Sequence, residues 1–290
     1  MVVRQAFFDT RAALREAGIE EDAVEADLLL RLATGKGHLE QDSERELSCA
    51  EEKTLAALTR RRCTRYPAQY LAGRWPFYGL ELTVGEGVLI PRADTETVVD
   101  RALEMIAEKA APRVLDLCAG SGAIGLAIGS MRPDAQITLV ERSDAALHYC
   151  RENAQGKAAV VQADVFGYEK ELAPGGVDCL VCNPPYVTET EYRDLAPELF
   201  FEPREALVAA REGLAFYEYL ARAYRPAMAP GGALVFEIGA AQRVPVETLL
   251  ARWDWQEIGC VRDLGGNDRC VFARAPKDAA EYARFCADVP

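Results

Sequence analysis

Histidine is almost missing from the 290-residue sequence, which has only His38 and His148. No convergent set of partners is visible for either, so each reads as an ordinary surface or core residue and no metal site is expected. Also lacking is any apolar run near the roughly 20 residues of a membrane helix. The start, Met1-Val2-Val3-Arg4-Gln5-Ala6, has no signal-peptide pattern, so a soluble, cytoplasmic protein without a membrane partner is expected. Basic residues are in deficit, 33 Lys and Arg against 46 Asp and Glu, a net charge of −13. Phosphate-backbone binding rests on clustered Lys and Arg that release counterions, so direct nucleic-acid binding is not expected. The deficit is uneven, with net −2 over residues 1–85 and net −11 over residues 86–290. An apolar content of 50% excludes a disordered chain and leaves room for one large domain or two ordinary ones.

The nine cysteines are odd in number and irregularly spaced, the mark of reduced thiols rather than a disulfide framework. Cys179 and Cys182 form one C-x-x-C, but it lies in an apolar, strand-like run where residues three apart face opposite ways. No second C-x-x-C or histidine pair completes a zinc site.

The first 70 or so residues read as helices, including 21–32, stopped by Gly35 and Gly37, and 48–62, whose final Arg60-Arg61-Arg62 favours the helix dipole more than it suggests a binding patch. Residues 77–84 and 88–90 read as short strands around Gly85-Glu86-Gly87, a hairpin joining two domains. From Pro91 onward strands and helices alternate: strands at 113–117, 136–141, 158–161, 177–181 and 233–238, helices at 123–131 and 144–153. Such alternation predicts an α/β fold with a mainly parallel sheet covered on both faces. Two further strands, 256–261 and 269–273, flank a tight turn and predict an antiparallel finish. The expected division is a helical domain 1–74, a hairpin linker 75–90 and a catalytic domain 91–290.

Residues 114–125 spell a strand, a turn of small residues and the start of a helix, with Gly120, Gly122 and Gly125 as G-x-G-x-x-G. With side chains nearly absent at the turn, the backbone can approach a ligand closely. The pattern fits a nicotinamide cofactor as well as S-adenosylmethionine. Asp116, just ahead of the loop, can accept hydrogen bonds near an aminoacyl group, and Glu141 at the end of the second strand can take both ribose hydroxyls of either cofactor. Asp164 and Val165 follow the third strand, where an adenine would lie.

Val181-Cys182-Asn183-Pro184-Pro185-Tyr186 carries the chemistry. Each proline lacks an N–H and pushes the preceding residue out of the helical region, so Asn183 and Pro184 are extended with carbonyls free. The Asn183 side-chain oxygen and the Pro184 carbonyl are suited to accept the two N–H donors of a primary amide or amino group. They would stabilise positive charge building on that nitrogen and aim it at a sulfonium methyl. Tyr186 can pack beside the reacting group and exclude water.

With these motifs the sequence resembles the protein N5-glutamine methyltransferases that modify peptide chain release factors. The resemblance also rests on Pro67-Ala68-Gln69-Tyr70-Leu71-Ala72-Gly73, Phe77-Tyr78-Gly79, Val88-Leu89-Ile90-Pro91-Arg92 with Thr95-Glu96, Glu202-Pro203-Arg204-Glu205-Ala206-Leu207, Phe236-Glu237-Ile238-Gly239, and Asp263-Leu264 with Gly266 and Asp268-Arg269. It implies a Rossmann-like, seven-stranded class I methyltransferase domain behind a small N-terminal helical domain that recognises the release factor. The implied reaction, tied to translation termination, moves a methyl from S-adenosylmethionine to the glutamine of a Gly-Gly-Gln motif. Carried over by position, Cys118, Ala119, Gly120, Ser121 and Gly122 hold the methionine part of the cofactor, Glu141 the ribose, and Asp164 with Val165 the adenine. Asn183, Pro184, Pro185 and Tyr186 bind the glutamine, Asn183, Pro184 and Tyr186 serve as the catalytic residues, and Asn183 also contacts the cofactor. The family usually has glycine at the position of Cys118, often an aromatic at that of Val165, and Pro-Glu at that of Ala93-Asp94. Two rival readings share the tetrapeptide: a ribosomal-protein glutamine methyltransferase and an N6-adenine DNA methyltransferase, the latter disfavoured by the acidic catalytic region.

Overall fold

The computed structural model describes residues 1–287, which form two compact units: Met1–Arg74 with Ala196–Phe201, and the remainder. In the first unit, helices α1 (Val3–Glu16), α2 (Asp22–Thr34), α3 (Cys49–Cys63) and α4 (Ala68–Ala72) enclose a core that includes Phe7, Leu14, Leu29, Leu30 and Leu55. Ser48 and Glu51 close a capping box at the start of α3, which satisfies backbone N–H groups that the helix leaves unpaired. Of the three arginines at the end of α3, Arg60 and Arg61 are exposed and Arg62 is internal. Arg62 is buried and pairs with Glu25 at 2.5 Å and Glu198 at 2.9 Å, while Arg61 lies over the Tyr66 ring. Glu198 also takes Arg65 at 2.8 Å, so ion pairs fix the distant segment Ala196–Phe201 in this unit.

Strands β1 (Arg74–Phe77) and β2 (Leu80–Thr83) form a two-stranded sheet. The hairpin turn expected at 85–87 lies instead at Tyr78-Gly79, with φ of +48° and +75°, and 88–90 is not a strand. An aromatic residue at a left-handed turn position gave no sequence signal. The two glycines have another purpose. A Cβ on Gly85 would lie 2.3 Å from Tyr149 Oη, and one on Gly87 would lie 2.7 Å from Ala145 Cβ, so both allow the chain to press close to a helix.

The second unit continues with α5 (Glu96–Met105), β3 (Arg113–Leu117), α6 (Ala123–Met131), β4 (Gln136–Glu141), α7 (Asp144–Ala154), β5 (Ala159–Gln162) and β6 (Val177–Cys182). After these come α8 (Glu189–Tyr192), α9 (Ala215–Ala223), β7 (Met228–Glu237), α10 (Arg243–Arg252), β8 (Gln256–Arg262), β9 (Asp268–Arg274) and α11 (Ala279–Ala287). The seven-stranded sheet has the order β5-β4-β3-β6-β7-β9-β8. Its first five strands are parallel, and β9 runs antiparallel to both β7 and β8, the finish expected from the tail. Strand alternation sorts the core into two layers. Leu115, Leu117, Leu180, Cys182 and Phe236 pack with Tyr217, Leu220 and Leu250 on one face. Val114, Cys179, Val181 and Val235 pack with Val98, Ala102, Ile124 and Ile128 on the other. Cys179 and Cys182 therefore belong to opposite layers, and all nine cysteines are free.

Candidate active site

The sheet order reverses between β3 and β6, which leave side by side with Leu117 opposite Cys182. Such a switch point opens a crevice at the carboxyl ends of the strands. Here a cavity of about 970 Å³, its open mouth included, is lined by the loop after β3, the ends of β4 and β5, and the turn after β6.

The loop after β3 turns in left-handed conformations at Cys118 (φ +57°), Gly120 (+56°) and Gly122 (+83°). Glycine tolerates this region freely and cysteine does not, a physical basis for the glycine expected at position 118. A Cβ on Gly120 would meet only Val88 Cγ2, at 4.0 Å, so the space before it is open. Gly122 caps α6, and a Cβ there would press on Leu126 and Leu139 at 3.1 Å. Cys118 shares a hydrogen bond with the wholly buried Cys182, and burial with this contact pushes the Cys182 thiol well up.

Glu141 is fixed by three backbone donors: Gly120 N–H to Oε2 at 2.8 Å, and Arg142 and Ser143 N–H to Oε1, each at 2.7 Å. A carboxylate so held presents its remaining lone pairs in a constant direction on the cavity wall. Asp164 also lines the wall, paired with Arg142 at 3.3 Å. Val165 is buried beside it, and its carbonyl accepts the Tyr224 hydroxyl at 2.9 Å. Phe216, unforeseen from the sequence, lines the same end, its ring 4.9 Å from that of Phe166.

Asp116 lies beneath the loop rather than on the wall. Its Oδ2 accepts Gly125 N–H at 2.8 Å at the start of α6, and its buried Oδ1 has no partner among the described residues. Desolvation, only partly opposed by the Gly125 bond, pushes its carboxyl up to about 7.

After β6, Asn183 and Pro185 line the cavity; its lining includes neither Pro184, which joins these two in the chain, nor Tyr186. The backbone of the turn is clamped. Tyr186 and Val187 N–H donate to Leu207 O at 3.1 and 2.9 Å, and Gln242 Nε2 donates to Tyr186 O at 3.1 Å. Gly213 is required beside this clamp, because a Cβ there would lie 2.1 Å from Tyr186 O. The Tyr186 hydroxyl donates to Glu237 at 3.1 Å, and burial beside that carboxylate raises its pKa. Arg92 and Thr95, also on the wall, come from the stretch before α5, with Arg92 paired to the buried Glu202.

The residues suit S-adenosylmethionine on their own chemistry: an open Cβ-free surface, a fixed carboxylate for hydroxyl donors, an apolar wall of Val165 and Phe216, and an acceptor-bearing turn opposite. Among the described residues no cluster of metal-ligating side chains occurs, and no helix is long and apolar enough to cross a membrane.

Fold and site together define an S-adenosylmethionine-dependent methyltransferase of the Rossmann-like, seven-stranded class. The fold is shared with a methyltransferase from Pyrococcus furiosus, at a TM-score of 0.52 and 14% identity over 75% of this chain and 99% of that one. The Methyltransferase small domain family model matches residues 95–213, and the PrmC N-terminal domain matches residues 5–73. Release factor glutamine methyltransferase of Fusobacterium nucleatum is 32% identical over 93% of this chain and 78% of its own. That of Caulobacter vibrioides is 36% identical over 89% and 91%. The chain belongs to the release factor glutamine methyltransferase family.

Proposed function

We infer that the protein transfers a methyl group from S-adenosylmethionine to the side-chain amide nitrogen (N5) of the glutamine in a release factor's Gly-Gly-Gln motif. The observation that carries this is that Asn183 and Pro185 line the same cavity as the Gly120 loop and Glu141. In this reading Glu141 takes the ribose hydroxyls, residues 118–122 border the methionine part, and Asp164, Val165 and Phe216 border the adenine. The two domains divide the work, residues 1–74 reading the protein substrate and residues 91–290 performing the transfer.

When bound, S-adenosylmethionine supplies an electrophilic sulfonium methyl. An amide nitrogen is a poor nucleophile because its lone pair is delocalised into the carbonyl. Asn183 Oδ1 and the Pro184 carbonyl accept its two N–H groups, which orients the nitrogen and stabilises the positive charge that develops as the new bond forms. Pro184 and Pro185 contribute by what they lack: no N–H of the turn competes for these acceptors. Tyr186 supports the turn from behind. No strong base is required, since the nitrogen becomes acidic only as the methyl arrives.

The test is to incubate the purified protein with a release factor, ribosomal proteins and S-adenosylmethionine, then map the methyl by peptide mass spectrometry. Methyl on the Gly-Gly-Gln glutamine is expected. Methyl on a ribosomal-protein glutamine, or nowhere, overturns the assignment. The net −11 of residues 86–290 supports a protein over a nucleic-acid substrate.

A further inference from the structure

The Glu237 carboxylate takes no part in the chemistry above, yet it is buried directly behind the acceptor turn. Phe236 pairs with Cys182 across the sheet, so Glu237 and Asn183 leave adjacent strands at the same level. Three groups meet at its oxygens or one step beyond. Thr95 Oγ1 lies 2.5 Å from Oε2, Tyr186 Oη lies 3.1 Å from Oε1, and Asn183 Nδ2 lies 3.5 Å from Thr95 Oγ1. The backbone of Glu237 is tethered as well, its carbonyl accepting the Tyr217 hydroxyl at 2.7 Å.

We propose that Glu237 and Thr95 are positioning residues that fix which end of the Asn183 amide faces the substrate. Burial raises the pKa of Glu237, opposed by the Thr95 hydroxyl, the Arg269 charge and the Tyr186 hydroxyl; in its ionised form the carboxylate is an acceptor only and claims the single proton of the Thr95 hydroxyl. Thr95 then presents lone pairs alone to Asn183, and only the NH₂ end of the amide can face it. Oδ1 is thereby turned to the other side, as an acceptor for the substrate amide. Without this polarity the two ends of an asparagine amide have nearly the same shape, and a flipped amide would present donors to a substrate that also donates. The same carboxylate holds the Tyr186 hydroxyl, so one buried group orders both sides of the turn.

The proposal rests on the reading of Asn183 as the substrate's acceptor. Thr95→Val keeps the shape and removes the acceptor, Glu237→Gln lets the new amide donate to Thr95 and so frees its proton, and Thr95→Ser restores the hydroxyl. For Thr95→Val and Glu237→Gln, kcat is expected to fall about tenfold or more, with KM for the release factor and calorimetric S-adenosylmethionine binding changed by less than about threefold. Thr95→Ser is expected to recover most of kcat. A second readout needs no turnover: with asparagine ¹⁵N-labelled, the Asn183 side-chain amide protons are expected to exchange faster with water in Thr95→Val than in wild type. Unchanged kcat or unchanged exchange in both isosteric variants overturns the proposal. A wild-type protein that fails to methylate the release factor but shows the exchange difference removes the functional reading and leaves the positioning role standing.

Discussion

The turns after β3 and β6 leave paired strands at the same level, Leu117 beside Cys182, yet they reach one cavity by opposite means. The first uses small residues in left-handed conformations and turns the Gly120 N–H to Glu141, while Gly125 N–H in the first turn of α6 holds Asp116 beneath it. The second uses two prolines, which have no N–H, and is braced from behind by Leu207 and Gln242. What the first side offers a ligand is a carboxylate held rigid by backbone donors. What the second offers is a neutral amide and carbonyl. A charged acceptor suits ground-state binding of hydroxyl groups, whereas neutral acceptors gain most when charge develops on the atom they hold. The contrast supports the proposed division, with binding at one turn and rate acceleration at the other.

The sharpest way to break that division is Asn183→Ala. If the second turn acts on the developing charge, kcat falls about 10²- to 10³-fold, the loss seen when one preorganised polar group of this kind is removed. Calorimetric binding of S-adenosylmethionine should survive. Abolished binding would move Asn183 to the cofactor side of the comparison.

Each turn also covers a buried carboxylate, and Asp116 allows its own test. Its folded pKa, about 7, lies above the unfolded value near 3.8, so the folded state holds a proton that the unfolded state gives up. The associated stability is fully present below about pH 4 and is lost as pH rises to about 7. Asp116→Asn has no such proton, so the stability difference between variant and wild type should shift in the variant's favour across this window, by a few kcal/mol at most (~1.4 per pH unit). Urea unfolding of cofactor-free protein at several pH values measures it. Parallel curves for the two proteins would show that Asp116 ionises normally.

A smaller effect is expected on the binding side. In Gly120→Ala the new methyl enters the open space before the loop at φ +56°. S-adenosylmethionine affinity should drop about tenfold, roughly 1.4 kcal/mol, with kcat at saturation little changed. A fall in kcat with affinity intact would erase the division between the turns.

How much of this was legible in the sequence follows from how local each signal is. The strand–turn–helix at residues 113–131 and the end of β6 were readable, because apolar alternation, small residues and prolines each act on their own neighbourhood. The hairpin turn at Tyr78 was not, because a left-handed aromatic residue is held there by tertiary contacts, with its N–H on Glu96 at 2.8 Å and its hydroxyl on Asp100 at 2.6 Å. Thr95 and Glu237 stand within motifs that carry the family resemblance, but 142 positions separate them, and only the tertiary fold brings the turn before α5 against the end of β7 beside Asn183. The placement of Ala196–Phe201 with the N-terminal helices depends likewise on ion pairs to Arg62 and Arg65 that no local pattern announces.

The comparison is finest at Cys118, the one residue of the first turn that keeps a side chain of substance at positive φ. Cys118→Gly and Cys118→Ala both remove the sulfur that touches Cys182, so their difference isolates the backbone. Alanine retains a left-handed penalty of about 1–2 kcal/mol, and glycine offsets part of its advantage by about 0.5–1 kcal/mol of extra chain entropy in the unfolded state. The glycine variant should therefore be the more stable by roughly 0.5–1 kcal/mol, a Tm difference of about 1–4 °C by calorimetry. Equal melting temperatures would mean that the turn relaxes at residue 118 at no cost, and that its left-handed path is set by the glycines at 120 and 122 alone.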